Sequence, residues 1–224
     1  GLTTEATSNQ FITFVDKTPK RLQDSIQTEF YHFTDAMKKK EDNGPAMDLR
    51  INMNIDATPD AVMKVVMDPV AGDNITARGN GNFQVSFYNK GDFRMFGNYT
   101  IDEGMYKLSM QEIIRKDFVL QSGSTVTFTG DPYQANLDVK AAYTVNSVSL
   151  SDLSTDASLT QSTVKVNCIM NLTGSLANPT IKFDLELPTV NEEDRELVRS
   201  ATSTEEQMNT QIIYLLGIGK FYAY

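Results

Sequence analysis

Met47-Asp48-Leu49-Arg50-Ile51-Asn52-Met53-Asn54-Ile55-Asp56 alternates apolar and polar side chains without a break. A strand turns successive side chains to opposite faces, so this stretch has one apolar face and one wet face. The same period of two continues to Leu187. It runs through Ala61 to Met67, ending at Asp68-Pro69, then Phe83, Val85 and Phe87, then Phe93, Met95, Tyr99 and Ile101, then Tyr106, Leu108 and Met110. Strands follow at Phe118–Leu120 and Val126–Phe128. Ala135, Leu137, Val139, Ala141 and Tyr143 share the next face. Beyond a Ser/Thr/Asp-rich stretch, 146–162, read as a surface loop with one short edge strand around Val148–Leu150, come Val164, Val166, Cys168, Met170 and Leu172. Ile181, Phe183, Leu185 and Leu187 close the series. Asn89-Lys90-Gly91-Asp92 and Asp102-Glu103-Gly104 read as tight hairpin turns between these strands.

About ten strands joined by short turns, with no helix between them, require an antiparallel meander. One face of it is apolar throughout and has to be hidden, in a closed barrel, in a two-sheet sandwich, or by curling around something else. That face is rich in methionine, with Met53, Met95, Met110 and Met170 among Phe, Leu and Ile, and the chain holds 10 Met. Flexible thioethers pack a large core, and they also tolerate a sliding acyl chain.

The flanks have a different period. Gln10–Val15 reads as one short strand. After Thr18-Pro19, Leu22, Ile26, Phe30, Phe33 and Met37 fall on one helical face that ends at Lys38-Lys39-Lys40 and Gly44-Pro45. After Pro188 an acidic helical region starts near Glu192. Ser203-Thr204-Glu205-Glu206 has capping-box chemistry, and Met208, Ile212, Leu215 and Leu216 recur at helical spacing before Gly217 and Gly219. The organisation read from these shifts is a strand/helix segment or linker over 1–46, a β-domain over 47–190 and a helical segment over 191–224.

The 224 residues carry a net charge of −9, which argues against nucleic acid or an anionic surface as the main partner. One Cys, one His and no Trp exclude an internal disulfide and a Cys/His zinc site. His32 lies beside an apolar stripe and reads as a half-exposed histidine without a catalytic role, and Cys168 sits in register with an apolar strand face and reads as a small buried hydrophobe. Gly79-Asn80-Gly81 lacks the helix of a phosphate cradle and reads as a turn. The pairs Asp102-Glu103 and Glu192-Glu193-Asp194 fall in a turn and at a helix start. No catalytic group, cofactor or metal is expected. No stretch reaches the roughly 20 apolar residues of a membrane-spanning helix. The leading Gly1, without an initiator Met, suggests a piece of a longer chain.

A resemblance adds to this. Gly91-Asp92-Phe93-Arg94-Met95-Phe96-Gly97-Asn98-Tyr99-Thr100-Ile101 with Gly104-Met105-Tyr106, then Phe118–Ser124, Thr129-Gly130-Asp131-Pro132-Tyr133, Ala135–Val139, and Leu172–Pro179 before Ile181-Lys182-Phe183, resembles the C-terminal domain of TamB proteins, in a Bacteroidetes-like form. TamB is the translocation and assembly module subunit, akin to the AsmA-like bridge proteins. The resemblance implies a periplasmic domain of a Gram-negative, inner-membrane-anchored protein that reaches the outer membrane. It implies a meander curled into an open, taco-like trough with an apolar interior. It also implies a phospholipid or other acyl-chain ligand and an Omp85-class barrel partner. The expected trough lining is Met53, Phe93, Met95, Tyr99, Ile101, Leu108, Met110, Leu137, Val139, Val166, Met170, Ile181, Phe183 and Leu185. A strand-binding chaperone or scaffold with no lipid role is the alternative, and a small outer-membrane barrel is a third reading.

Overall fold

The computed structural model describes the backbone of residues 12–15 and all of residues 47–154 and 163–224. The predicted N-terminal helix and His32 lie outside the described residues. Ten strands form one antiparallel sheet. They are β1 (Ile12–Val15), β2 (Arg50–Ala57), β3 (Val62–Asp68), β4 (Asp73–Tyr88), β5 (Arg94–Met110), β6 (Ile114–Leu120), β7 (Thr125–Gly130), β8 (Asn136–Ser149), β9 (Thr163–Ser175) and β10 (Asn178–Glu186). Two helices follow, α1 (Glu192–Ala201) and α2 (Glu205–Ile218).

The sheet is built on two long strands, β4 of 16 residues and β5 of 17, joined at Asn89–Phe93. At about 3.4 Å per residue each is roughly 55 Å long, nearly three times a typical strand. Shorter strands lie end to end along them. β3 pairs with the first half of β4 and β2 with the second. On the far side of β5, β6 and β7 share its length in the same way, and both then pair with β8. β9 and β10 complete the sheet.

The reading of Asp102-Glu103-Gly104 as a hairpin turn is corrected, because β5 passes straight through it. Arg78 pairs with Glu103 and Gly79 with Ile101, so Asp102 is an extra residue and the ladder carries a bulge there. Glycine is required at this point because backbones approach closely. A Cβ on Gly79 would stand 2.0 Å from the Thr100 carbonyl oxygen, and one on Gly104, at φ +158°, would stand 2.3 Å from that of Thr76. Gly79-Asn80-Gly81 is likewise strand, not turn. Val148 is not on a separate edge strand. β8 continues to Ser149 across an irregularity between Val145 and Val148, where Ser147 takes φ 59°.

The core is one cluster drawn from a single face of β3 to β9, from Leu187 just after β10, and from Val198, Ile212, Leu215, Leu216 and Phe221 of the helical end. α1 is capped by the Asn191 side chain, which accepts from the Asp194 N–H. α2 starts at a capping box one residue later than the sequence pattern placed it, with Thr204 as cap and Gln207 as its reciprocal partner. Its chain then turns at Gly219, in the left-handed region. The tail folds back, held by the Gln211 amide, which donates to the Tyr222 carbonyl at 3.0 Å and accepts the Tyr222 N–H at 2.8 Å.

Candidate functional site

The sheet's apolar face is the surface on which the predicted residues converge, and the depth of each follows its strand. Met95, Tyr99, Ile101 and Leu108 of β5, Leu137 and Val139 of β8, and Val166 and Met170 of β9 are buried. Their strands are central, with a neighbour on each side. Met53 of β2 and Met110 at the end of β5 are half-buried, as are Phe183 and Leu185 of β10. Ile181, also on β10, is 36% exposed. Phe93 departs from the expected set. It precedes β5 instead of lying in it and is 39% exposed, because the hairpin occupies Asn89–Phe93 and pairing begins at Arg94. The face is therefore closed along its middle and half-open along its two flanks, β2 and β10.

Aromatic rings that sequence reading left out of the lining fill the middle of this face. Phe83 and Phe128 meet edge to face, with ring centres 5.6 Å apart. They sit on either side of Gly97 in register, Phe83 opposite it on β4 and Phe128 opposite it on β7, and the missing side chain makes room for both. Phe118 of β6 touches Tyr143 of β8 at 5.9 Å and Phe183 of β10 at 6.5 Å. α2 lies against the end of the face where β6 begins, since a Cβ on Gly217 would meet Ile114 Cδ1 at 3.3 Å and one on Gly219 would meet Val145 Cγ1 at 3.8 Å.

The electrostatics of the face are nearly silent. Burial pushes the Tyr99 hydroxyl and the Cys168 thiol up to about 12, and raises Tyr106 as well, so all three stay neutral at physiological pH. Cys168 is fully buried, the small hydrophobe its register predicts. Asp73, at the start of β4, is raised by burial and opposed by hydrogen bonds with Ser109, whose N–H donates to its Oδ1 at 2.9 Å. Lys116 is the basic side chain on this face among the described strands, and its Nζ sits 5.2 Å from the centre of the Tyr143 ring. Its polar name inside an apolar alternation concealed its position. Among the described residues no group of three or more His, Cys, Asp and Glu is placed to hold a metal ion.

A second feature had no sequence signal. Where β10 runs out, Asp184–Pro188, the α1 residues Arg195, Val198 and Arg199, and Thr202 just after the helix line an open cleft of about 330 Å³. The outer edge of β10 beside it pairs with no other strand among the described residues. Such an edge offers unpaired backbone groups, and the Leu185 N–H is capped by its neighbour's Asp184 Oδ1 at 2.8 Å.

No described helix is long and apolar enough to cross a membrane. No curated protein matches the chain. The family model for the TamB C-terminal domain matches residues 1–223. That match takes in the whole sheet and both helices, and the chain belongs to the TamB C-terminal domain family.

Proposed function

We propose that this chain is a non-enzymatic, periplasmic module whose sheet curls into a trough that shields lipid tails on their way between membranes. Membership of the TamB family carries a role in outer-membrane biogenesis, in an envelope protein that spans the periplasm. The observation that carries the finer reading is the apolar face, continuous from β2 to β10, buried at its centre and half-exposed along the β2 and β10 flanks. The contact of Phe118 with Phe183 supports the curl. β6 and β10 are three ladder steps apart, about 14 Å at ~4.8 Å per step, yet the ring centres stand 6.5 Å apart, as on a concave surface. An acyl chain enters along the half-open β10 flank and displaces α2, whose Ile212, Leu215 and Leu216 are buried with the same face. Each buried CH₂ contributes about 0.8 kcal/mol, so a long tail binds without polar recognition.

Phe183→Glu places a charge on the flank, where the side chain is only half-buried, and leaves the closed middle intact. The purified domain should carry phospholipid by mass spectrometry and take up a fluorescent fatty acid, and the variant should lose most of that uptake at a temperature where its own melting curve shows it still folded. Absence of lipid together with no uptake by the unaltered domain sinks lipid carriage.

A second reading, docking of an extended segment from an Omp85-class barrel, is favoured by the unpaired β10 edge beside the cleft. It predicts that a photocrosslinker at Lys182 captures such a barrel, with crosslinking unchanged by Phe183→Glu. A crosslinker at Lys64 on β3 serves as the comparison, and equal capture from both positions counts against docking at the edge.

A further inference from the structure

We infer that the end of the sheet where β3 meets β4 and β5 meets β6 seats on a phospholipid bilayer, with Val70 and Ile113 entering its interface. These are the two most exposed large apolar side chains among the described residues, 96% and 86% accessible. They stand on adjacent turns. Ser109, just before the β5–β6 turn, donates its N–H to Asp73 Oδ1 at 2.9 Å and its hydroxyl to the Ala71 carbonyl at 3.4 Å, which ties the two turns together. Ile218, 65% exposed, joins them from α2, since neighbouring Gly217 lies against Ile114.

Three observations favour lipid over a protein surface. Four backbone donors of the tips are already paired within them. Asp68 Oδ1 accepts from the Val70 and Ala71 N–H groups at 2.8 and 3.0 Å, Gly72 N–H donates to the Asp68 carbonyl at 2.8 Å, and Ile113 N–H donates to the Met110 carbonyl at 3.3 Å. A tip that enters an apolar medium has to bring such bonds with it because lipid tails supply no partners, whereas a protein surface can supply them. The β5–β6 turn also places Gln111 and Glu112 at φ 51° and 60°, a backbone that costs a non-glycine residue free energy, directly before the exposed Ile113. Finally, exposed Arg115 and Lys220 stand two residues from Ile113 and Ile218, within side-chain reach of headgroup phosphates. Glu112 and Asp68 offset them, so the surface fits a zwitterionic bilayer. The opposite end is built differently, with Met47 there beside the Lys90–Asp48 ion pair and Asp92. The inference stands whether or not the apolar face carries acyl chains.

The chain has no Trp, so Val70→Trp and Ile113→Trp each give a single reporter, with Tyr133→Trp at the opposite end for comparison. On adding phosphatidylcholine vesicles, emission from both tips should move to the blue and be quenched by brominated acyl chains, and that from position 133 should do neither. The double variant Val70→Asp, Ile113→Asp should bind vesicles about tenfold more weakly or worse, with an unchanged melting midpoint. Tips that show no shift, equal quenching at all three positions, a shift that tracks protein concentration instead of lipid, or full vesicle binding by the double Asp variant would each overturn the inference.

Discussion

Phe118→Ala is expected to lower the free energy of unfolding by about 3–5 kcal/mol, and the melting midpoint by roughly 6–20 °C in a chain of this size. Phe118 is fully buried, and its ring touches Tyr143 and Phe183, so its loss leaves a cavity bounded by three strands. The surrounding side chains cannot collapse into it. Tyr143 is held by the Lys116 ammonium over its ring, and the strands on either side are fixed by their own ladders. The neighbouring Val119→Ala supplies the control. That side chain points to the other face, is 55% exposed, and should change stability by no more than about 0.5 kcal/mol. Urea unfolding of the two variants checks this, and costs within 1 kcal/mol of each other would show that the ring is not part of a packed core.

Gly97→Ala is expected to cost about 2–6 kcal/mol, the sum of backbone strain and overpacking. At φ +144° the added methyl would stand 2.1 Å from the Asn82 carbonyl oxygen and 2.9 Å from the Phe83 ring. Either the β4–β5 ladder must open at Asn82 or the Phe83–Phe128 contact must break. Gly123→Ala separates the two causes. Gly123 also has positive φ, +91°, but nothing lies within 4 Å of its would-be Cβ, so only the strain of about 1–2 kcal/mol remains. Equal losses at the two glycines, measured by thermal unfolding, would reject the steric explanation.

The strict alternation beginning at Met47 made the apolar face readable from residues alone, because a half-buried strand imposes a period of two on its side chains. The first half of β4 was not readable. Asp73-Asn74-Ile75-Thr76-Ala77-Arg78-Gly79-Asn80 has the composition of a loop, and it is a strand because β3 and β5 flank it, a fact held elsewhere in the chain. Asp102-Glu103-Gly104 misled for a related reason. The residue types that suit a turn also suit a bulge, and what decides between them is the close backbone of Thr76 across the ladder. Among the candidate residues, the side chains facing inward on central strands were legible. How deeply each lies was not, since burial at Met95 and half-burial at Leu185 depend on strand order, which periodicity does not encode.

The end-to-end placement of the shorter strands bears on how the molecule comes apart. β4 and β5 pair with each other along nearly their whole length, whereas their outer edges are each shared by two separate strands. Losing β2 frees only the distal half of the β4 edge, and β3 keeps its half. Fluctuations therefore come in half-length steps around a persistent two-strand spine, and amide protons along β4 and β5 should be the last to exchange with solvent. A partner or ligand that pries at one flank works against a fraction of the molecule's cohesion, and the spine carries the fold through the event.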